Sequence, residues 1–181
     1  IGMLDYNSLT FKKGIKTLIN SGIETKLVTL DFDNFLLNYS HYCFHVHNRP
    51  MISIKLANSA DSKITYSNGQ SKWITSKLSR KHVHHVRSNH DAILVGTNTF
   101  SKDNPSLTVR VEGFKKPINR ILLDTNLVLE KKSKLLKKIK SNPLIILTNK
   151  SLASKKAKFF ISKGVKVFHV KKQDDGYLCI F

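Results

Sequence analysis

The sequence predicts an α/β protein, and three observations predict it. Short buried strands, as at residues 92–95 and 144–147, alternate with helical patterns, as at 77–88 and 152–163. Turn residues separate them, Gly164 being the clearest stop. Polar blocks sit at the ends of the apolar runs, where the backbone donors of strand ends and helix starts can converge on a ligand. Together these describe a mostly parallel sheet covered by helices on both faces.

The elements follow in order. Residues 8–22 suggest a short helix, with Ser8 as its cap, Gly22 as its stop, and Ile15, Leu18 and Ile19 on one face. Residues 23–30 alternate like a strand, and 31–42 form another short helix. Residues 41–49 read as a polar, histidine-rich connector, and a module boundary falls near residue 48. Pro50 then opens a strand over 51–57. The helix over 77–88 is capped by Thr75 or Ser76. After the strand 92–95 comes a single helical turn over 98–102, then strands at 107–111 and 120–123. A basic helix is expected over 131–140, and a final strand over 165–170.

The length of 181 residues fits one domain or slightly more, and 40% hydrophobic residues supply a real core. The net charge of +19 is carried mostly by lysine, with arginine confined to positions 49, 80, 87, 110 and 120. Such charge fits a nucleic-acid-binding footprint or a lysine-rich solvated surface. The absence of a basic-aromatic module or recognition-helix pattern favours the second, and no nucleic-acid partner is expected. A basic surface still attracts small anions such as nucleotides and sugar phosphates. Cys43 and Cys179 form no CxxC pair, which argues against a disulfide scaffold and points to a reducing, cytoplasmic setting. No apolar run approaches a membrane span, and no signal-peptide pattern is present. The chain begins Ile1-Gly2 and closes on an apolar run ending at Phe181, so both ends read as cuts through a longer protein.

Four motifs carry chemistry. Ser71-Lys72-Trp73-Ile74-Thr75 precedes a helix start, where Ser71 suits a phosphate and Trp73 either a planar ring or the core. Arg80, His84 and Arg87 share a helix face at spacing i, i+4, i+7. Asp103-Asn104-Pro105 is a turn followed by Arg110, which pairs an acceptor for hydroxyls or amides with a donor for phosphate. His41, Cys43, His45 and His47 alternate, but no second set of ligands stands at a familiar spacing, so no metal site is assigned. Gly-x-Gly-x-x-Gly, Walker A and Gly-x-Ser-x-Gly elements are absent.

Taken in order, Arg49-Pro50, Lys55-Leu56-Ala57-Asn58-Ser59-Ala60-Asp61, Gly69-Gln70-Ser71-Lys72-Trp73-Ile74-Thr75, Asp91-Ala92-Ile93-Leu94-Val95-Gly96 and Asp103-Asn104-Pro105-Ser106-Leu107-Thr108-Val109-Arg110 resemble the reductase domain of the bifunctional riboflavin-biosynthesis deaminase/reductase. The match runs from Arg49 to about Asp124 and more loosely onward. Residues 1–48 resemble the tail of the deaminase domain, and 49–181 the first two-thirds of the reductase domain. The zinc-binding motifs of that deaminase are absent here.

The resemblance implies a dihydrofolate-reductase-like fold, incomplete at the C-terminus, and an NADPH-dependent reduction of 5-amino-6-(5-phosphoribosylamino)uracil to a ribityl product. It implies that Ala57, Trp73, Thr99, Asp103 and Thr125 line the NADPH site. Ser71, Arg87, Leu107 and Arg110 are implied to hold the substrate, the two arginines clamping its phosphate, with Lys55 and Asp61 nearby. A homodimer is compatible with it. Ala60 and Ser62 depart from the Leu and Gly that the family carries around Asp61. The family's later glutamate and glycine-rich segment is expected beyond Phe181, leaving the site incomplete within this sequence. A basic nucleic-acid-binding protein, or a reductase-fold copy without catalysis, are the competing classes. Hydride transfer needs no side-chain nucleophile, so no catalytic residue is assigned.

Overall fold

The computed structural model describes residues 1–28, 32–66 and 73–179, with Asp33 and Asn34 described in their backbone only. The chain divides into two compact units, Ile1–Ala57 and Asn58–Phe181.

The first unit holds three helices: α1 (Lys13–Asn20), α2 (Phe32–Leu37) and α3 (Tyr39–His47). The helix expected over 31–42 is thus two, broken at Asn38, and the expected connector over 41–49 is mostly helical. Aromatic packing explains this. Tyr42 meets Tyr6 at 4.9 Å and Phe35 at 5.2 Å, both edge-on, and Cys43 beside it is buried. The period-two histidines therefore fall around a helix, and His41 pairs with Asp5 at 2.7 Å. Residues 23–28 and 51–57 lie outside any ladder, contrary to the strands expected there; residues 29 and 30 lie outside the described residues. Alternation marks a strand's faces but supplies no partner. Ile52, Ile54 and Leu56 remain exposed.

The second unit is α/β, as expected. It contains α4 (Lys77–Ser88), β1 (Ala92–Gly96), α5 (Thr97–Asp103), β2 (Asn119–Leu123), β3 (Leu144–Thr148), α6 (Lys155–Ser162) and β4 (Lys166–His169). The four strands lie in the order β1-β2-β3-β4, all parallel. Ser76 caps α4 by accepting from the Ser79 amide at 3.1 Å, and Ser154 caps α6 by accepting from Ala157 at 3.3 Å. Gly164 (φ 84°) turns the chain from α6 into β4.

Alternate residues of the strands build the core. In β2 and its flanks Ile118, Arg120, Leu122 and Asp124 are buried, in β3 Leu144, Ile146 and Thr148, and in β4 Val167. Leu122, Leu144, Ile146 and Val167 join one apolar cluster with Ala157 and Phe160 of α6, and Phe100 and Leu107 extend it towards β1. Two regions depart from the predicted elements. Residues 131–140 contain only a 3-10 turn, Lys134–Leu136, because six lysines in ten residues repel one another along any helix. Lys138, at φ 57°, breaks the run. Residues 107–111 are irregular, because Leu107 adopts φ 49° and cannot continue an extended strand.

Two charged side chains are buried at opposite ends of β2. Arg120 donates to the carbonyls of Asn142 at 2.5 Å and Lys137 at 3.3 Å, tying the β2–β3 connection down. Asp124 accepts from the amides of Val128 and Leu129, each at 2.8 Å, and closes the loop after β2. A hydrogen bond to a charged group contributes roughly 1.5–3 kcal/mol. Asp124→Ala is therefore expected to lower stability by about 3 kcal/mol in denaturant titration, while Asp124→Asn, which keeps an acceptor, loses about half as much. Equal stability of wild type and Asp124→Ala would show that the loop closes without it.

Candidate active site

The carboxyl ends of β1, β2 and β3 form one edge of the sheet, and hydrogen bonds fix the chain leaving it. Thr97, at the start of α5, donates its hydroxyl to the Leu123 carbonyl at 2.7 Å. The Thr148 hydroxyl donates to the Thr125 carbonyl at 3.1 Å, and the Asn149 amide donates to the same carbonyl at 3.1 Å. Thr125 is thereby held, half-buried, at this edge. Thr99 and Asp103 are exposed on α5, which begins directly from β1. A helix start at the carboxyl edge of a parallel sheet presents free N–H groups, the usual place for a nucleotide's phosphates.

A second group forms where α4 meets residues 107–110. The Leu107 side chain is buried in the core while its backbone takes the left-handed conformation. That conformation costs a non-glycine residue roughly 1–2 kcal/mol, and core burial offsets it. The turn it makes presents the Thr108 carbonyl to Arg87, whose Nη1 donates to it at 3.3 Å. It also brings Arg110 against His84: the Arg110 amide lies 3.2 Å from Nδ1, and Arg110 Nε lies 3.2 Å from Nε2. Burial, then Arg110 and then Arg87 lower the His84 pKa, so the imidazole is neutral near pH 7. Burial and the nearby Arg110 charge also lower the Arg87 pKa, yet a guanidinium starts so high that it stays a cation. Among the described residues no ion pair engages either arginine; the carboxylates that are paired meet His41, Lys63 and Lys116.

Trp73 is 65% exposed, so the core-anchor alternative is excluded. The Arg80 guanidinium lies 4.1 Å from its ring centroid and also donates to the Thr75 carbonyl, which holds the indole at the start of α4. Ala57 is half-buried and closes the first unit, and Ser71 lies outside the described residues. Lys55 is exposed, and Asp61 accepts from the Ser59 hydroxyl and pairs with Lys63 at 3.7 Å. The structure thus brings Arg87, Leu107 and Arg110 into one group. Among the described residues no hydrogen bond joins that group to Thr99, Asp103 or Thr125. The spacing had put His84 on the arginine face, but only the fold shows its ring buried between the two cations. Thr97, Asp124 and Thr148 carry no sequence signal of their own. Among the described residues no three His, Cys, Asp or Glu gather as metal ligands.

The family model for the RibD C-terminal domain matches residues 50–174. The chain belongs to that family. It is 38% identical over 171 residues to riboflavin biosynthesis protein RibD of Aquifex aeolicus, covering 94% of this chain and 47% of that protein. It is 32% identical over 163 residues to the chloroplastic riboflavin biosynthesis protein PYRR of Arabidopsis thaliana, covering 84% of this chain and 27% of that one. Among solved structures, the diaminohydroxyphosphoribosylaminopyrimidine deaminase/5-amino-6-(5-phosphoribosylamino)uracil reductase of Thermotoga maritima superposes with a TM-score of 0.76 at 31% identity, covering 92% of this chain and 45% of that one. RibD of Acinetobacter baumannii shares the fold, with a TM-score of 0.78 at 23% identity over 96% of this chain and 48% of that one. The dihydrofolate-reductase-like fold implied by the sequence is the fold of these reductase domains. The chain spans about half the length of the RibD proteins it matches. The family match begins at residue 50 and crosses the boundary between the two units at Ala57.

The His84 environment sets a pH dependence. Its folded pKa lies below the ordinary 6.5, so at acid pH the unfolded chain binds more protons at this site than the native one. Stability therefore falls as pH drops below about 6.5. Denaturant titrations between about pH 5 and pH 7 should show this acid slope, with His84→Gln losing part of it. An unchanged slope in that variant would mean His84 titrates normally.

Proposed function

We propose that this chain provides the reductase half of riboflavin biosynthesis: it binds 5-amino-6-(5-phosphoribosylamino)uracil and NADPH and reduces the ribosyl C1 to a ribityl chain. One observation carries the reading: two arginines from separate segments, Arg87 and Arg110, converge with no carboxylate paired to either among the described residues. Such a pair is electrostatically unfinished, and a phosphate dianion completes it, since guanidinium forks match phosphate oxygens. Leu107, its side chain buried in the core, fixes the segment that carries Arg110.

The residues also suit a dinucleotide. Trp73 offers an exposed planar ring beside the Arg80 cation, and the α5 start with Thr99, Asp103 and Thr125 offers donors and acceptors for phosphate and ribose. NADPH, when bound, supplies the hydride. The chain's own task is to position: a clamp at the phosphate and a held ring at the other end limit the freedom of the reacting carbons. The high lysine content adds a diffuse field that attracts both anionic ligands. Family membership supports this reading over a basic nucleic-acid-binding protein.

In the natural full-length chain, Arg110→Ala should weaken substrate binding by about ten- to 150-fold, the worth of one charge-assisted hydrogen bond, and leave NADPH affinity nearly unchanged. Trp73→Phe should do the reverse, weakening NADPH with little change in melting temperature. Calorimetric titration of each ligand separates the two. Equal losses for both ligands in Arg110→Ala would remove it from the phosphate role. Absence of NADPH binding altogether would point to a copy that keeps the fold without catalysis.

A further inference from the structure

We propose that His84 is a positioning residue: its Nε2 accepts the Arg110 Nε–H, and this holds Arg110 with both terminal nitrogens presented to the substrate's phosphate. The inference rests on the phosphate reading above and assigns a role to a residue that reading does not use. His84 is the buried residue of α4, while His82 and His85 on the same helix are exposed. Both of its ring nitrogens face Arg110, at 3.2 Å from the main-chain amide and 3.2 Å from Nε. A protonated imidazole could accept neither bond, and it would stand as a third cation between Arg87 and Arg110. The lowered pKa keeps the ring neutral, so it has one acceptor and one donor nitrogen.

The Thr108 carbonyl takes the Arg87 Nη1 hydrogen at 3.3 Å and also hydrogen-bonds the His84 ring, so one ring nitrogen has a main-chain acceptor to donate to. A neutral ring accepts at one nitrogen only, so the contacts with the Arg110 amide and with Arg110 Nε are alternatives; the proposed tautomer carries the proton on Nδ1 and accepts the Arg110 Nε–H at Nε2. That tautomer engages Nε and leaves Nη1 and Nη2, which have no hydrogen-bond partner among the described residues, to form the terminal fork. A carboxylate at position 84 would orient Arg110 as well, but it would neutralise the charge the phosphate needs. A neutral acceptor orients the cation without neutralising it. The opposite tautomer, with Nδ1 accepting from the Arg110 amide, would make His84 a support for the main chain only.

Replacing the ring by one acceptor at a time separates the two tautomers. Glutamine places its carbonyl oxygen near the position of Nε2, and asparagine near that of Nδ1. In the natural full-length chain, steady-state kinetics would be measured for His84→Leu, His84→Gln and His84→Asn. The probes are 5-amino-6-(5-phosphoribosylamino)uracil and its dephosphorylated ribosyl counterpart. The expected result is a rise of about tenfold in the KM for the phosphorylated substrate in His84→Leu and His84→Asn. His84→Gln should recover most of the affinity, while kcat and the KM for NADPH hold and the dephosphorylated compound shows no difference. Recovery by asparagine and not glutamine would overturn the proposal, as would parallel losses for phosphorylated and dephosphorylated substrates. If His84→Leu does not fold, the comparison of glutamine with asparagine decides alone. Arg110→Ala is the control: if it discriminates phosphorylated substrate and His84→Leu does not, only the role of His84 fails. If Arg110→Ala does not discriminate, the phosphate reading fails and this inference falls with it.

Discussion

The site depends on holding two like charges together. Arg87 and Arg110 come from different segments, and electrostatic repulsion would separate them unless the backbone fixed their positions. The fold does so through a short chain of contacts. Leu107 is anchored in the core, its left-handed backbone turns the chain, the Thr108 carbonyl receives Arg87, and His84 receives Arg110. Each link uses main-chain groups or a neutral ring, so none cancels the positive charge. The proposed site, built this way, is preorganised for an anion, and among the described residues no ion pair competes for it.

The sheet supports this arrangement from below. Arg120 is buried on the same face of β2 as Leu122 and holds the carbonyls of residues 137 and 142. Asp124, at the other end of the strand, holds the loop that carries Thr125. These two charges meet main-chain groups and belong to the scaffold, although the buried Nε of Arg120 has no partner among the described residues, whereas no ion pair among the described residues engages Arg87 or Arg110. Burial and partners both separate them: Arg120 is buried, Arg87 half-buried and Arg110 exposed. The lysines form neither group. They are spread along the chain, and their field acts on encounter more than on specificity.

How much of this was legible in the sequence depends on the range of the interaction. Strands β1 to β4 and helices α4 and α6 were readable because local periodicity and caps such as Ser76 and Ser154 determine them. The strand expected over 51–57 was not formed, because its pattern specifies a face and leaves the partner open. The helix expected over 131–140 failed because propensity counts each lysine favourably while their mutual repulsion does not appear in a residue-by-residue sum. At the site, the pairing of Arg87 with Arg110 was implied by the family resemblance and not by the residues' own pattern. The burial of His84 between them was implied by neither, since three histidines on one helix look alike until the fold chooses which one faces inward. The left-handed Leu107 had no sequence signal either, because leucine is an unusual occupant of that conformation.

The central claim is that Arg87 and Arg110 act on one phosphate, and a double-mutant cycle tests it most directly. Affinity for 5-amino-6-(5-phosphoribosylamino)uracil would be measured for the natural full-length chain, Arg87→Ala, Arg110→Ala and the double variant. If the two guanidiniums share the phosphate, the two losses will not add, and the cycle will close with an interaction energy of at least about 0.5 kcal/mol. Losses that add within experimental error would show that the arginines act independently, and the single clamp described here would be wrong.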